Sequence, residues 1–121
     1  MAKIPDFLLR ALYVKGRLRN TDDGFEFQMK NELGPVRIIG ARPLMVDRRP
    51  IPLDQCDFIH GEHRARFADV TPDKSVLMRK GEAVSIHVSG MTLATGRRTL
   101  GIDVIAKDLG QVRFNVSDKL S

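Results

Sequence analysis

The chain has 121 residues with a single cysteine, and its 20 Lys and Arg stand against 15 Asp and Glu for a formal charge of +5. That length suits one domain around one core. The lone Cys56 rules out an internal disulfide, and neither a secretory leader nor an apolar run of bilayer-spanning length is present, so the expected setting is the cytoplasm, away from membranes. Because charges of both signs are interleaved, an anionic partner is permitted without being demanded.

Residues 4–12 are expected to form a short helix: Pro5 suits a first turn, and Ile4, Phe7, Leu8, Ala11 and Leu12 recur at three-to-four spacing. From Tyr13 the period changes to two, the repeat of a strand whose alternate side chains face opposite sides. Phe25, Phe27 and Met29 alternate with Glu26, Gln28 and Lys30, and Asp22, Asp23 and Gly24 supply the turn of a hairpin with residues 14–20. The same alternation returns at Val84, Ile86 and Val88, at Leu100, Ile102 and Val104, and at Val112, Phe114 and Val116. Turn signals separate these runs at Gly34-Pro35, 71–74, Gly81, Gly90, Gly96 and 108–110. Pro50 and Pro52 lack backbone donors and place their segment at a sheet edge or in an extended connection. The expected fold is therefore all-β, an antiparallel β-sandwich or flattened barrel over 13–118 with about seven to nine strands.

Few residues offer chemistry. His60, Glu62 and His63 are the stock from which zinc or iron sites are made, but on an extended strand positions 60 and 63 face opposite sides. One ion could reach both only if the segment curls, with a further ligand from elsewhere; otherwise this is a charged loop or edge strand. A zinc deaminase reading fails because its Pro-Cys-x-x-Cys partner needs more cysteine than the chain has. His87 stands between Ser85 and Ser89 on the polar side of its strand, where a base could activate a hydroxyl, yet no Gly-x-Ser-x-Gly elbow accompanies it. A solvated or interfacial sheet face is the simpler expectation. Cys56 reads as a small packed side chain, and phosphate-loop and dinucleotide fingerprints are absent. Lys15, Arg17 and Arg19 share one face of the first strand with Tyr13, a stripe able to follow a nucleic-acid backbone while the ring stacks a base.

The order of short signatures resembles the small β subunit family of the C-glycoside deglycosidases. Its pieces are Arg17 to Asn20, Gly24-Phe25-Glu26-Phe27, Val46-Asp47 with Ile51-Pro52, Phe58, Gly81-Glu82, and Gly90 with Leu93 and Gly96 before the Leu100 to Val104 strand. Where that family tends to carry Asp-Gly at a turn, this chain has Asp47-Arg48, so either the turn differs or Arg48 accepts strain. The segment 60–80 is also compact and basic, without an aromatic-rich stretch. The resemblance implies a β-sandwich subunit that clasps a larger, metal-dependent barrel, with the divalent metal and the catalytic groups on that partner and no cofactor in this chain.

The functional expectation is an accessory, non-catalytic β-sandwich subunit of a larger cytoplasmic enzyme, or of a homo-oligomer, meeting its partner through one sheet face. Such a face can bury a standard interface of roughly 1,600 Å² without supplying acid, base or metal. Tyr13, Arg17, Arg19, Phe58 and His87 are the interface candidates. A nucleic-acid-binding module and a stand-alone metal enzyme built on His60 and His63 are the alternatives.

Overall fold

The computed structural model describes residues 4–120. One helix, α1 (Asp6–Arg10), precedes eleven strands: β1 (Arg19–Asn20), β2 (Gly24–Lys30), β3 (Val36–Ala41), β4 (Met45–Val46), β5 (Arg49–Pro50), β6 (Cys56–His60), β7 (His63–Arg66), β8 (Val76–Met78), β9 (Ala83–Ser89), β10 (Gly96–Ala106) and β11 (Gly110–Leu120). Two single-turn 3-10 helices, Leu53–Gln55 and Phe67–Asp69, lead into β6 and out of β7. Eleven strands exceed the expected seven to nine: seven reach four residues or more, of which β2, β9, β10 and β11 are the ones the alternation marks, and the other four are two or three residues long.

The strands form two antiparallel sheets and no closed barrel. One runs β1-β2-β9-β6-β7; in the other, β10 pairs with β11 along its whole length, and with β3 and β4 over successive stretches. Period-two burial explains why they stack. Phe25 and Phe27 of β2, Val84, Ile86 and Val88 of β9, and Leu100 and Ile102 of β10 are all at most 5 % exposed, while Glu26, Gln28, Ser85 and Ser89 face away from the core. Each fully buried Phe contributes about 1.5–3 kcal/mol. A one-residue slip of β2 would expose Phe25, Phe27 and Met29 together, so the hydrophobic pattern holds the register.

The β5 strand ends the second sheet, and there Pro50 pairs with Met45 at an edge where a missing donor costs no ladder bond. The β4–β5 hairpin turns on Asp47 and Arg48, at φ of 50° and 70°. Both central residues of this two-residue turn thus have positive φ, as a primed turn demands, and Arg48 does accept the strain. Asp47 is anchored as well: Oδ1 accepts from Thr99 N at 3.0 Å and Oδ2 from Arg98 Nη1 at 3.0 Å.

At the N-terminal end the helix is shorter than the periodicity suggests, and the expected strand over 14–20 shrinks to β1 plus an isolated bridge from Tyr13 to Met29. Gly16, at φ of 84°, breaks the extended run. Alternation is lost with it: Tyr13 and Leu18, expected on opposite faces, are both buried. Among the described residues no helix is long and apolar enough to cross a membrane.

Candidate functional site

The polar face of the β1-β2-β9-β6-β7 sheet carries a single row of charge. Cross-strand register sets Arg19 opposite Glu26, Glu26 opposite His87, His87 opposite Asp57, and Asp57 opposite Arg66. Arg19 Nε donates to Glu26 Oε1 at 2.6 Å, and Asp57 accepts from Arg66 Nε at 3.1 Å and from Arg64 Nε at 2.6 Å. Burial pushes the Asp57 carboxyl upward, but the hydrogen bonds and charges of Arg64 and Arg66 outweigh that and hold it below the usual carboxylate range.

His87 occupies the middle of the row and is buried. Its Nδ1 lies 3.2 Å from Arg64 Nη2, and a guanidinium can only donate, so Nδ1 accepts and Nε2 carries the ring proton. Nε2 faces Asp23 Oδ1 at 3.0 Å and Thr21 Oγ1 at 3.3 Å. Both nitrogens are thus engaged, and neither meets Ser85 or Ser89; Ser89 Oγ instead donates to the Gln55 carbonyl at 3.4 Å. A general base needs a ring nitrogen open to its substrate, and this arrangement offers none.

The interface candidates separate. Arg17 and Arg19 are exposed, and with Gly16, Glu26 and Gln28 they line a shallow polar hollow of about 140 Å³. Tyr13 and Phe58 belong to the core. Tyr13 packs against Phe27, with ring centroids 5.8 Å apart, because its bridge to Met29 sets it on the inner face that Met29 shares with Phe27. Phe58 lies on the inner face of β6 and stacks on Phe67 at 4.2 Å, as the strand's alternation requires. His87 is covered by its own polar neighbours. With Tyr13 inside, the Lys15–Arg17–Arg19 stripe keeps its cations but loses the ring that would stack a base.

The His60–His63 segment does curl. β6 and β7 form a tight hairpin through Gly61 and Glu62, in which His60 and His63 are cross-strand partners on the same face. His60 Nε2 is paired with Glu82 Oε2, however, and Glu62 is exposed on the turn. Among the described residues no three His, Cys, Asp or Glu side chains converge as a metal would require. Cys56 is fully buried, and burial, with the nearby charges of Asp57 and Asp54, pushes its thiol up to about 12.

Sequence alone missed two features. Asp57, Arg64 and Arg66 draw attention only once the neighbours of β6 are known, because pairing across a sheet leaves no mark along the chain. The second feature is a cavity of about 410 Å³ between the two sheets, open at the end formed by α1, residues 31–35 and the β10–β11 turn. Met29, Phe58 and Ile86 wall one side and Ile102, Val104 and Phe114 the other. Water fills such a space poorly, since its apolar walls offer few hydrogen bonds.

Fold and site define an antiparallel β-sandwich domain with a mutually satisfied polar face and an apolar cavity between its sheets. The family model described as hydroxymethylglutaryl-CoA reductase, N-terminal domain, matches residues 8–121, and the chain belongs to that family. No curated protein matches the chain. The family match overturns the resemblance to C-glycoside deglycosidase β subunits: the pieces carrying it, such as Gly24-Phe25-Glu26-Phe27, are strand and turn sequences that unrelated antiparallel sandwiches share.

Proposed function

We propose that this chain is an accessory, non-catalytic domain of a larger enzyme assembly that reduces hydroxymethylglutaryl-CoA, and that it docks on the catalytic part through the polar face of the β1-β2-β9-β6-β7 sheet. The observation carrying this reading is the engagement of both His87 nitrogens by Arg64, Asp23 and Thr21. The most suggestive titratable group on the face is thereby committed to holding strands and loops together. The family's own description, a domain of a larger reductase, supports the same reading. Arg17 is exposed with no ion pair among the described residues, whereas Arg19, Arg64 and Arg66 are exposed but already share Glu26 and Asp57; the cations left over on this face favour an acidic partner surface, with complementarity that steers encounter and fixes register.

Co-purification from the source cells, with the bound chains identified by mass spectrometry, tests this. A reductase-like catalytic chain should be retained at low salt and released as salt rises, and Arg17→Glu, in a variant that keeps the native circular dichroism, should weaken the complex. Turnover of hydroxymethylglutaryl-CoA by the purified chain alone would overturn the proposal.

A further inference from the structure

We propose that the cavity between the sheets is a binding site for the aliphatic chain of an anionic amphiphile, a carboxylate of the fatty-acid class. The reading does not depend on the accessory role. A volume of about 410 Å³ falls within the roughly 300–1,000 Å³ of small-molecule sites. Its shape follows from its position: packed sheets lie about 10 Å apart, so the space between them is a slot, suited to an extended chain more than to a wide ring system.

The chemistry of the walls selects the part of the ligand that enters. Ile86, Ile102, Val104 and Phe114 offer no hydrogen bond in the depth of the slot. Asn31, the uncharged polar side chain at its edge, is already satisfied: Nδ2 donates to the carbonyls of Gly34 at 2.6 Å and Met78 at 3.0 Å, and Oδ1 accepts from Leu33 N at 3.2 Å. A polar group carried inside would lose its water and gain no partner. Leu33 and Leu109, two of the three large hydrophobic side chains left exposed among the described residues, stand at the opening and continue the apolar surface outward.

The opening selects the head. Lys30 and Lys107 both line it. Lys30 is shared with Glu32 at 3.3 Å, whereas Lys107 has no ion pair among the described residues. Asp108 lines the opening as well, beside Lys107, in the turn where its backbone is held at φ of 71°. A carboxylate arriving on an aliphatic chain would meet the Lys107 ammonium at the surface while the chain fills the slot.

Decanoate, decanol and decyltrimethylammonium are the probes, titrated by calorimetry against the full chain and against Val104→Phe and Val112→Phe, two substitutions that add a ring at the cavity wall. Decanoate should bind saturably at one site and raise the melting temperature, and a filled variant that keeps the native circular dichroism should lose that binding. Lys107→Glu should weaken decanoate about threefold, the scale of an exposed ion pair, and leave decanol unchanged. Absence of saturable decanoate binding, undiminished binding in both folded variants, or equal affinity for the cationic probe would overturn the assignment. None of these results bears on co-purification with a catalytic chain, so the two proposals fail separately.

Discussion

The phenol of Tyr13 donates to Oδ2 of Asp118 at 2.8 Å, joining the segment after α1 to the last strand across 105 residues of chain. The same oxygen accepts from Gly16 N at 3.0 Å, so one carboxylate holds the residues where the expected first strand is interrupted. Burial raises the Asp118 carboxyl, but the Tyr13 hydroxyl, the Gly16 and Lys119 amides and the Lys15 charge together bring it below its ordinary range. The Tyr13 phenol is pushed the other way, first by burial and then by Asp118. This clasp lets a segment with little regular structure close one end of the sandwich.

Tyr13→Phe removes the donor and keeps the ring on Phe27. A hydrogen bond to a charged acceptor contributes about 1.5–3 kcal/mol, and Asp118 retains its two amide donors, so the loss should lie near the lower figure. Urea denaturation checks this: the midpoint should fall with the slope unchanged. An unchanged midpoint would show that the clasp contributes nothing to stability.

What the sequence made legible follows its physics. Strands β2, β9, β10 and β11 were readable because each has one face in the core, and period-two alternation is the direct imprint of that burial. Residues 14–18 were misread because their alternation continues through Gly16, whose positive φ redirects the backbone without altering the pattern of side chains. The charge row was invisible for another reason: Glu26, His87 and Asp57 come together only through pairings of β2 with β9 and of β9 with β6, strands far apart in the chain. The cavity is a matter of volume not filled, which depends on how two sheets meet and on no single residue.

Gly24→Ala should be among the most damaging single changes. A Cβ at Gly24 would lie 1.7 Å from the Val88 carbonyl oxygen, and the obstacle is backbone of the paired strand, which cannot swing aside. Relief requires separating β2 from β9 where Phe25 and Val88 are fully buried. The cost should exceed about 4 kcal/mol, read as loss of soluble folded protein or a melting transition near room temperature. A melting temperature close to wild type would contradict the packing of these two strands.

Arg48→Gly should stabilise the protein. Left-handed backbone costs an ordinary residue about 1–2 kcal/mol and costs glycine nothing comparable, although glycine loses part of the gain through a freer unfolded chain. A net increase of up to about 1 kcal/mol is expected, a rise of a few degrees in Tm by calorimetry. Asp47→Gly is the contrasting case. It relieves similar strain but removes the bonds to Thr99 and Arg98, so it should bring no gain, and a Tm rise in both variants would mean that those bonds do not anchor the turn.

Asp57 should make stability depend on acidity in a defined direction. Its folded carboxyl is held below the ordinary value, so folding favours the ionised form. The associated stability is fully present above about pH 4, the unfolded range, and is lost as pH falls through the depressed folded value. Asp57→Asn removes the charge while keeping the shape. At pH 7 the variant should be less stable by about 1–3 kcal/mol, because Arg64 and Arg66 lose a charged acceptor on a side chain only 6 % exposed. As pH drops below 4 the wild-type carboxyl takes up its proton and the difference between the two proteins should shrink, even though Asp47 and Asp118 keep both of them acid-sensitive. Denaturant titrations at several pH values measure that difference directly. A gap that stays constant from pH 7 to the acid limit would mean that Arg64 and Arg66 do not hold Asp57 in its charged form.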